Sequence, residues 1–423
     1  MTDRTVVEIC AGAGGQSLGL HKAGFRHELA IELDVSAAHT LHTNLKRLQG
    51  EADVRVGDVA DETLWSPEAY EGIDLLAGGV PCPPFSVAGK QLGSQDERDL
   101  FAWAVELAGR VQPRALLLEN VRGLSMPRFA GYRQAVAERL EELGYWSEWK
   151  LLHASDFGVP QLRPRFVLIA LRAADADYFA WPEPEDQTAS VGDTLRELMN
   201  EHKWRHVDEW VSAAQGIGPT IVGGSKKHGG ADLGPTRAKQ AWAKLGVDAH
   251  GVADAAPERD APPPSVKRPR LTNAMVAAIQ GWGPEYHWRF EGRKTSVYRQ
   301  IGNAFPPPVA HRLGQSIKSA LGHEAAAALS RQDGTVHDEV YRALRNSTQP
   351  LSEAQLLEVV AKSHNLDQLR NSLEALGRDF ELIVETEGMA PRYLLGEFKA
   401  FRGQSGHFRE QVFADRRGRS KVS

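Results

Sequence analysis

Thr5-Val6-Val7-Glu8-Ile9-Cys10-Ala11-Gly12-Ala13-Gly14-Gly15 decides how this chain is read. Thr5–Cys10 reads as a buried strand, and Gly12–Ala23 as a glycine-rich turn entering a helix. Glycines let the backbone pass close to a ligand, and the helix N-terminus offers free N–H groups. A dinucleotide fingerprint, G-x-G-x-x-G, needs glycine at position 17, where the chain has Ser17. Working outward, Arg26–Ile31 is a second strand, closed by Glu32 and followed by Leu33. Glu32 suits an unphosphorylated ribose. Val54–Val56 is a third strand, followed by Asp58 and Val59, and Asp58 can accept a hydrogen bond from an adenine amine. The loop Cys10, Ala11, Gly12, Gly14 and Gly15, together with Glu32 and Asp58 on three consecutive strand ends, describes an adenosyl site.

The alternation continues. Val35–Gln49 reads as a helix, Ile73–Ala77 as a strand, Leu100–Gly109 as a helix and Ala115–Leu118 as a strand. Tyr132–Leu143 reads as a helix, and Tyr145–Leu152 and Arg165–Leu171 as strands. This spacing predicts an α/β fold with a doubly wound, mostly parallel sheet. The catalytic domain is expected over 1–181 and again over 266–322. An insert of low regular structure is expected over 182–265, ending at Ala261-Pro262-Pro263-Pro264. Helices are expected at Leu271–Gln280 and Pro308–Leu321. Over 335–400, helices at His337–Arg345, Ser352–Ala361 and Leu366–Leu376, the last closed by Gly377, precede strands Phe380–Glu385 and Arg392–Phe398. That order predicts a winged-helix-like α+β region. A basic tail fills 401–423.

Composition sets limits. The chain has 423 residues, a net charge of −5 and two cysteines. Two cysteines exclude a disulfide scaffold, and no Cys/His cluster has zinc spacing, so no metal is expected. No signal peptide and no membrane segment are expected, which suggests a cytoplasmic setting. The net charge excludes a generally basic nucleic-acid coat, so polyanion binding must use local patches.

The second cysteine sits in Gly78-Gly79-Val80-Pro81-Cys82-Pro83-Pro84-Phe85-Ser86. Glycine and proline make this turn stiff and place the thiol at the carboxyl end of a strand, where chemistry in open α/β sheets gathers. Cys82 is a candidate nucleophile there. Taken alone, the position suits a small packed residue equally well.

Taken together, these residues resemble the DNA (cytosine-5)-methyltransferase family, over roughly residues 5 to 321. Ala11–Gly15 resembles its S-adenosylmethionine loop, and Pro81-Cys82 with Phe85-Ser86 its nucleophile loop. Glu119-Asn120-Val121 matches its E-N-V element and Gln161-Leu162-Arg163-Pro164-Arg165 its Q-x-R-x-R element. Arg270-Leu271-Thr272 resembles the element after the recognition insert, and Tyr298–Ala304 the last motif. Two departures stand out: Pro83 where the family usually has Gln or Asn, and Cys10 where it usually has Phe.

The resemblance implies methyl transfer to carbon 5 of a cytosine in double-stranded DNA. Cys82 would add to carbon 6 of a flipped base, Glu119 would protonate N3, and Arg165 would hold O2 and orient Glu119. Arg163 and Arg165 are two apart in a strand, so both are expected to face the site. Cys10, Ala11, Gly12, Gly14, Gly15, Glu32, Leu33, Asp58, Val59, Pro81, Leu100, Asn303 and Ala304 are expected to bind S-adenosylmethionine. Ser86 and Lys90 beside the nucleophile, and Lys226, Lys227, Arg237 and Lys239 in the insert, are expected to contact DNA; Arg or Lys can read guanine in the major groove. The resemblance further implies a bacterial modification enzyme, monomeric and nucleoid-associated, paired with a restriction endonuclease. Two rivals are a transfer-RNA cytosine methyltransferase of the same fold and a DNA-binding regulator. A third, an NAD oxidoreductase, lacks the glycine at position 17 and a use for Cys82.

Overall fold

The computed structural model describes residues 4–81, 100–223, 230–324, 339–361, 363–385 and 391–399. The central sheet is built from β1 (Arg4–Ile9), β2 (Phe25–Glu32), β3 (Val54–Val56), β4 (Leu75–Gly78), β5 (Ala115–Val121), β6 (Tyr145–His153) and β7 (Pro164–Arg172). Their spatial order is β3-β2-β1-β4-β5-β7-β6. Every neighbouring pair from β3 to β5 is parallel, and β7 alone runs against its neighbours β5 and β6. The strand order reverses between β1 and β4, and ligands in such sheets bind outside the carboxyl ends at that crevice.

Helices α1 (Gly15–Lys22), α2 (Val35–Gln49), α3 (Leu100–Val111) and α4 (Ala130–Glu142) alternate with the strands. β4 and β5 read as unbroken apolar runs because both faces of the sheet are covered. Val7, Ile9, Leu76 and Leu116 join the core that contains α3 and α4. Val6, Leu75 and Leu117 join the opposite core. After the short α5 (Ala173–Ala176) the chain enters the insert.

The insert is more regular than its sequence suggests. It holds α6 (Val191–Met199), α7 (Val207–Ala213) and α8 (Thr236–Lys244). These helices have only seven to nine residues, too short for periodicity to register. Their cohesion comes instead from the buried indoles Trp204, Trp210 and Trp242. The same core runs on into α9 (Asn273–Ile279) and α10 (Lys294–Asn303). Finally α11 (Pro307–Gly322) lies against α1. A Cβ on Gly19 would come within 2.5 Å of both Ala310 and the Pro307 carbonyl, so this approach requires glycine.

The C-terminal region contains α12 (Glu339–Arg345), β8 (Leu351–Ser352), α13 (Glu353–Val360), α14 (Leu366–Asp379), β9 (Phe380–Glu385) and β10 (Arg392–Phe398). Its small antiparallel sheet has the order β8-β10-β9. Ser352 caps α13 and forms a capping box with Gln355. α14 does not stop at Gly377 but continues through it to Asp379. The missing side chain serves packing instead, since a Cβ there would meet Leu382 at 3.3 Å. The region is fused to α4: Tyr132 and Phe398 meet edge-on at 5.2 Å, and Tyr341 donates to Glu138 at 2.7 Å.

Candidate active site

The glycine loop turns sharply as it leaves β1. Cys10 takes φ +51°, Gly12 +58° and Gly14 +92°. The left-handed region suits the glycines, but Cys10 bears strain of the kind stored at functional sites. The Gly12 N–H donates to Glu32 Oε2 at 2.8 Å, and the Asp34 N–H donates to Glu32 Oε1 at 2.7 Å. Each oxygen keeps a lone pair for a ligand hydroxyl. Burial pushes the Glu32 carboxyl above its ordinary value, against the pull of those two N–H groups. A Cβ on Gly12 would meet no atom within 4 Å, so the loop is open on that side. Leu33 follows, 68% exposed, an apolar surface at the mouth of the site. Asp58 accepts from the Ala60 N–H at 2.9 Å, and Val59 is buried. An open glycine turn, a carboxylate beside it and an exposed apolar side chain fit an adenosyl group.

Ala304 and Asn303 are both expected at the cofactor, and Ala304 lies behind the loop. Ala304 backs Gly15, whose added Cβ would sit 3.1 Å from the Ala304 Cβ and 2.2 Å from the Phe305 carbonyl. Asn303 abuts Gly223 instead, with Oδ1 2.3 Å from where a Cβ on that residue would stand. Pro81 is exposed and Leu100 is buried at the start of α3. Cys82, Ser86, Lys90, Lys226 and Lys227 lie outside the described residues. The root of the Cys82 loop is described: the buried Asn120 donates to the Val80 carbonyl at 3.1 Å.

Glu119 stands near the carboxyl end of β5. Its Oε1 lies 2.5 Å from Arg165 Nε, and both side chains are nearly buried. A Cβ on Gly79 would lie 3.5 Å from Glu119 Oε2 and 3.7 Å from the Cys10 carbonyl. The ends of β1, β4 and β5 thus bring the glycine loop, the root of the Cys82 loop and the carboxyl together. Burial raises the Glu119 pKa, while Arg165 and then Arg163 oppose the rise. Such a carboxyl keeps its proton to higher pH than an ordinary glutamate and can act as an acid.

Arg163 departs from the sequence expectation. β7 starts at Pro164, so strand alternation does not govern Arg163. Only 1% exposed, it donates to the Ile221 carbonyl at 2.8 Å, to Gly302 at 2.8 Å and to Ala304 at 2.7 Å. Burial drives its pKa well below the usual arginine value. It ties the catalytic sheet to the insert and to the chain between α10 and α11. Gln161 helps, accepting from the Ile221 N–H at 2.8 Å and donating to Gln280 at 2.7 Å. In the insert, Arg237 is exposed and Lys239 pairs with Asp232 at 2.6 Å.

The sequence reading gives no role to residues 281–293, although they cross over the glycine loop. Trp288 donates from Nε1 to the Ala13 carbonyl at 3.1 Å. Nothing local marks it, since its partner is 275 residues away.

Fold and site fit an α/β enzyme that holds an adenosyl group, and comparison with known proteins supplies the class. Residues 4–319 match the C-5 cytosine-specific DNA methylase family. The chain is 58% identical over 425 residues to the type II methyltransferase M.NaeI of Lentzea aerocolonigenes, covering 100% of both chains. It is 46% identical to M.NgoMIV of Neisseria gonorrhoeae over 331 residues, 76% of this chain and 99% of that one. In fold it is similar to the Entamoeba histolytica methyltransferase EhMeth, with a TM-score of 0.52 at 12% identity, covering 76% and 99% of the two chains. The chain belongs to the C-5 cytosine-specific DNA methylase family. It is a DNA (cytosine-5-)-methyltransferase of the type II kind, and DNA is its substrate. Among the described residues, no helix is long and apolar enough to cross a membrane.

Proposed function

We propose that this enzyme methylates carbon 5 of one cytosine in a specific duplex site, through a covalent Cys82 adduct with a flipped base. Modification beside a cognate restriction endonuclease is the proposed setting. The observation that carries the reading is the buried Glu119 carboxyl, paired with Arg165 and facing Gly79 at the root of the Cys82 loop.

Carbon 5 of cytosine is a weak nucleophile. Attack of the Cys82 thiolate on carbon 6 makes the ring enamine-like and builds negative charge at N3. Glu119, whose burial favours the protonated form, donates to N3 as that charge develops. Arg165 fixes the carboxyl and would meet the cytosine O2. S-adenosylmethionine, held by Gly12, Glu32, Leu33 and Asp58, would supply a methyl group activated on a sulfonium. Loss of the carbon 5 proton then expels Cys82 and restores the aromatic ring. Flipping the base costs a few kcal/mol, met by contacts with the DNA. Ser86 and Lys90 beside the nucleophile, with Lys226, Lys227, Arg237 and Lys239 in the insert, are the proposed DNA contacts. Arg163 serves this reading as the bolt behind Arg165, not as a group that touches the base.

The test is a duplex carrying 5-fluorocytosine, in which the final proton loss is blocked. The wild-type chain with S-adenosylmethionine should form a denaturation-stable adduct, and Cys82→Ser should form none and methylate nothing. Full activity in Cys82→Ser would overturn the covalent mechanism. Labelled methyl groups entering transfer RNA rather than duplex DNA would overturn the substrate.

A further inference from the structure

The segment Trp282–Arg293 is fastened to α2 at several points. Asn44 accepts from the Arg289 N–H at 3.0 Å and donates to the Arg289 carbonyl at 2.7 Å. Thr40 accepts from the Glu291 N–H at 2.8 Å and donates to Gln300 at 2.7 Å, and Gln300 returns to the Glu291 carbonyl at 2.8 Å. Thr40 and Asn44 are both fully buried. These bonds hold Trp288 over the glycine loop with little freedom. Its Nε1 donates to the Ala13 carbonyl. Its ring fills the space where a side chain at 14 would stand: a Cβ on Gly14 would lie 2.5 Å from Trp288 Cζ2 and 2.7 Å from Leu41 Cδ1.

We infer that Trp288 is a positioning residue for the methyl donor, acting through the glycine loop from its far side. The inference rests on the reading of Gly12–Gly15 as the S-adenosylmethionine loop. The peptide plane between Ala13 and Gly14 sets the +92° φ of Gly14, the residue that caps α1. That angle in turn aims the N–H groups opening α1. With Ala13 held by the indole and the next residue walled in by its ring, the plane cannot turn over. The anchor is α2, the helix that starts immediately after Glu32 and Asp34. Ribose carboxylate, glycine turn and indole are therefore linked in one rigid unit. Removing the indole frees the turn while every residue proposed to meet the base or the donor keeps its own side chain.

The full-length chain should be assayed as wild type, Trp288→Phe and Trp288→Ala. The readouts are steady-state methylation of duplex DNA, calorimetric binding of S-adenosylhomocysteine, and thermal melting. Trp288→Ala should raise the KM for S-adenosylmethionine and the Kd for S-adenosylhomocysteine by about 10- to 100-fold, the scale of a small misplacement of binding groups. The KM for DNA should not change, and kcat at saturating donor should change far less. Trp288→Phe keeps a ring but loses the N–H, and should raise the same two constants by roughly three- to tenfold, about one hydrogen bond. It decides the matter if Trp288→Ala does not fold. Donor constants equal to wild type in the variant that folds would overturn the inference. So would a parallel loss in donor affinity, DNA affinity and melting temperature, the pattern of a merely structural residue. If the wild-type chain itself binds neither S-adenosylmethionine nor S-adenosylhomocysteine, the cofactor reading fails instead.

Discussion

The carboxyl edge of the main sheet and the C-terminal region follow opposite rules. At the sheet edge, Cys10 occupies a backbone angle that side chains resist, Glu119 is buried against its preference, and burial works against the charged form of Arg163. In the C-terminal region the described elements agree with local chemistry. Ser352 and Asn365 cap α13 and α14 with complete capping boxes, and Leu369, Leu373 and Leu376 line one helix face. Strain and buried charge collect where reaction chemistry is proposed, while the appended region meets ordinary stability rules.

The largest expected effect tests the strained side. Glu119→Gln keeps shape and a hydrogen bond to Arg165 but cannot donate the proton, so kcat should fall by roughly 10²- to 10⁴-fold. The pH profile checks the cause. A raised carboxyl pKa means the protonated form is fully present at low pH and is lost as pH rises through that value. Wild-type turnover should therefore show a falling limb on that side, and Glu119→Gln should lack it. Arg163→Met comes next. It leaves the Ile221 and Gly302 carbonyls without their donor, whereas Ala304 keeps one from Gln280. About 3 kcal/mol of stability should be lost, seen in chemical denaturation. Ending the chain after Gly322 tests the other side. It uncovers Tyr132 on α4 and removes Tyr341 and Arg345 from Glu138, with an expected loss of about 2 kcal/mol in melting experiments. The KM for S-adenosylmethionine should not move. The smallest effect is Ser352→Ala, which should cost about 1 kcal/mol and leave methylation untouched. A loss of activity in either of the last two would erase the contrast between the regions.

Much of this was legible in the chain itself because strands and helices announce themselves locally. Val35–Gln49, Val54–Val56, Phe380–Glu385 and Arg392–Phe398 fall where periodicity puts them. The pairing of Glu119 with Arg165 follows from motifs on two strands that become neighbours. What was hidden depends on distant partners. Arg163 is aimed by carbonyls 58, 139 and 141 residues further on, which no alternation rule can see. The insert's helices are held by indoles rather than by long amphipathic repeats. Gly377 reads as a stop, yet it is used for close approach to β9. Trp288 carries no sign of its task until the fold lays it on the glycine turn.

Arg4 reaches from the first strand to the Leu321 carbonyl at 2.8 Å, and Arg114 reaches the same oxygen at 2.9 Å. The methyltransferase core therefore begins and ends at one spot, on the far side of the sheet from its chemistry. Such a core is a closed loop of chain in all but one covalent link. A short linker from Gly322 back to Arg4 should yield a circularly permuted enzyme, cut open instead at an exposed turn such as Gly50-Glu51 between α2 and β3. The same geometry explains how a further folded region can be carried beyond α11 while the reacting groups stay where they are.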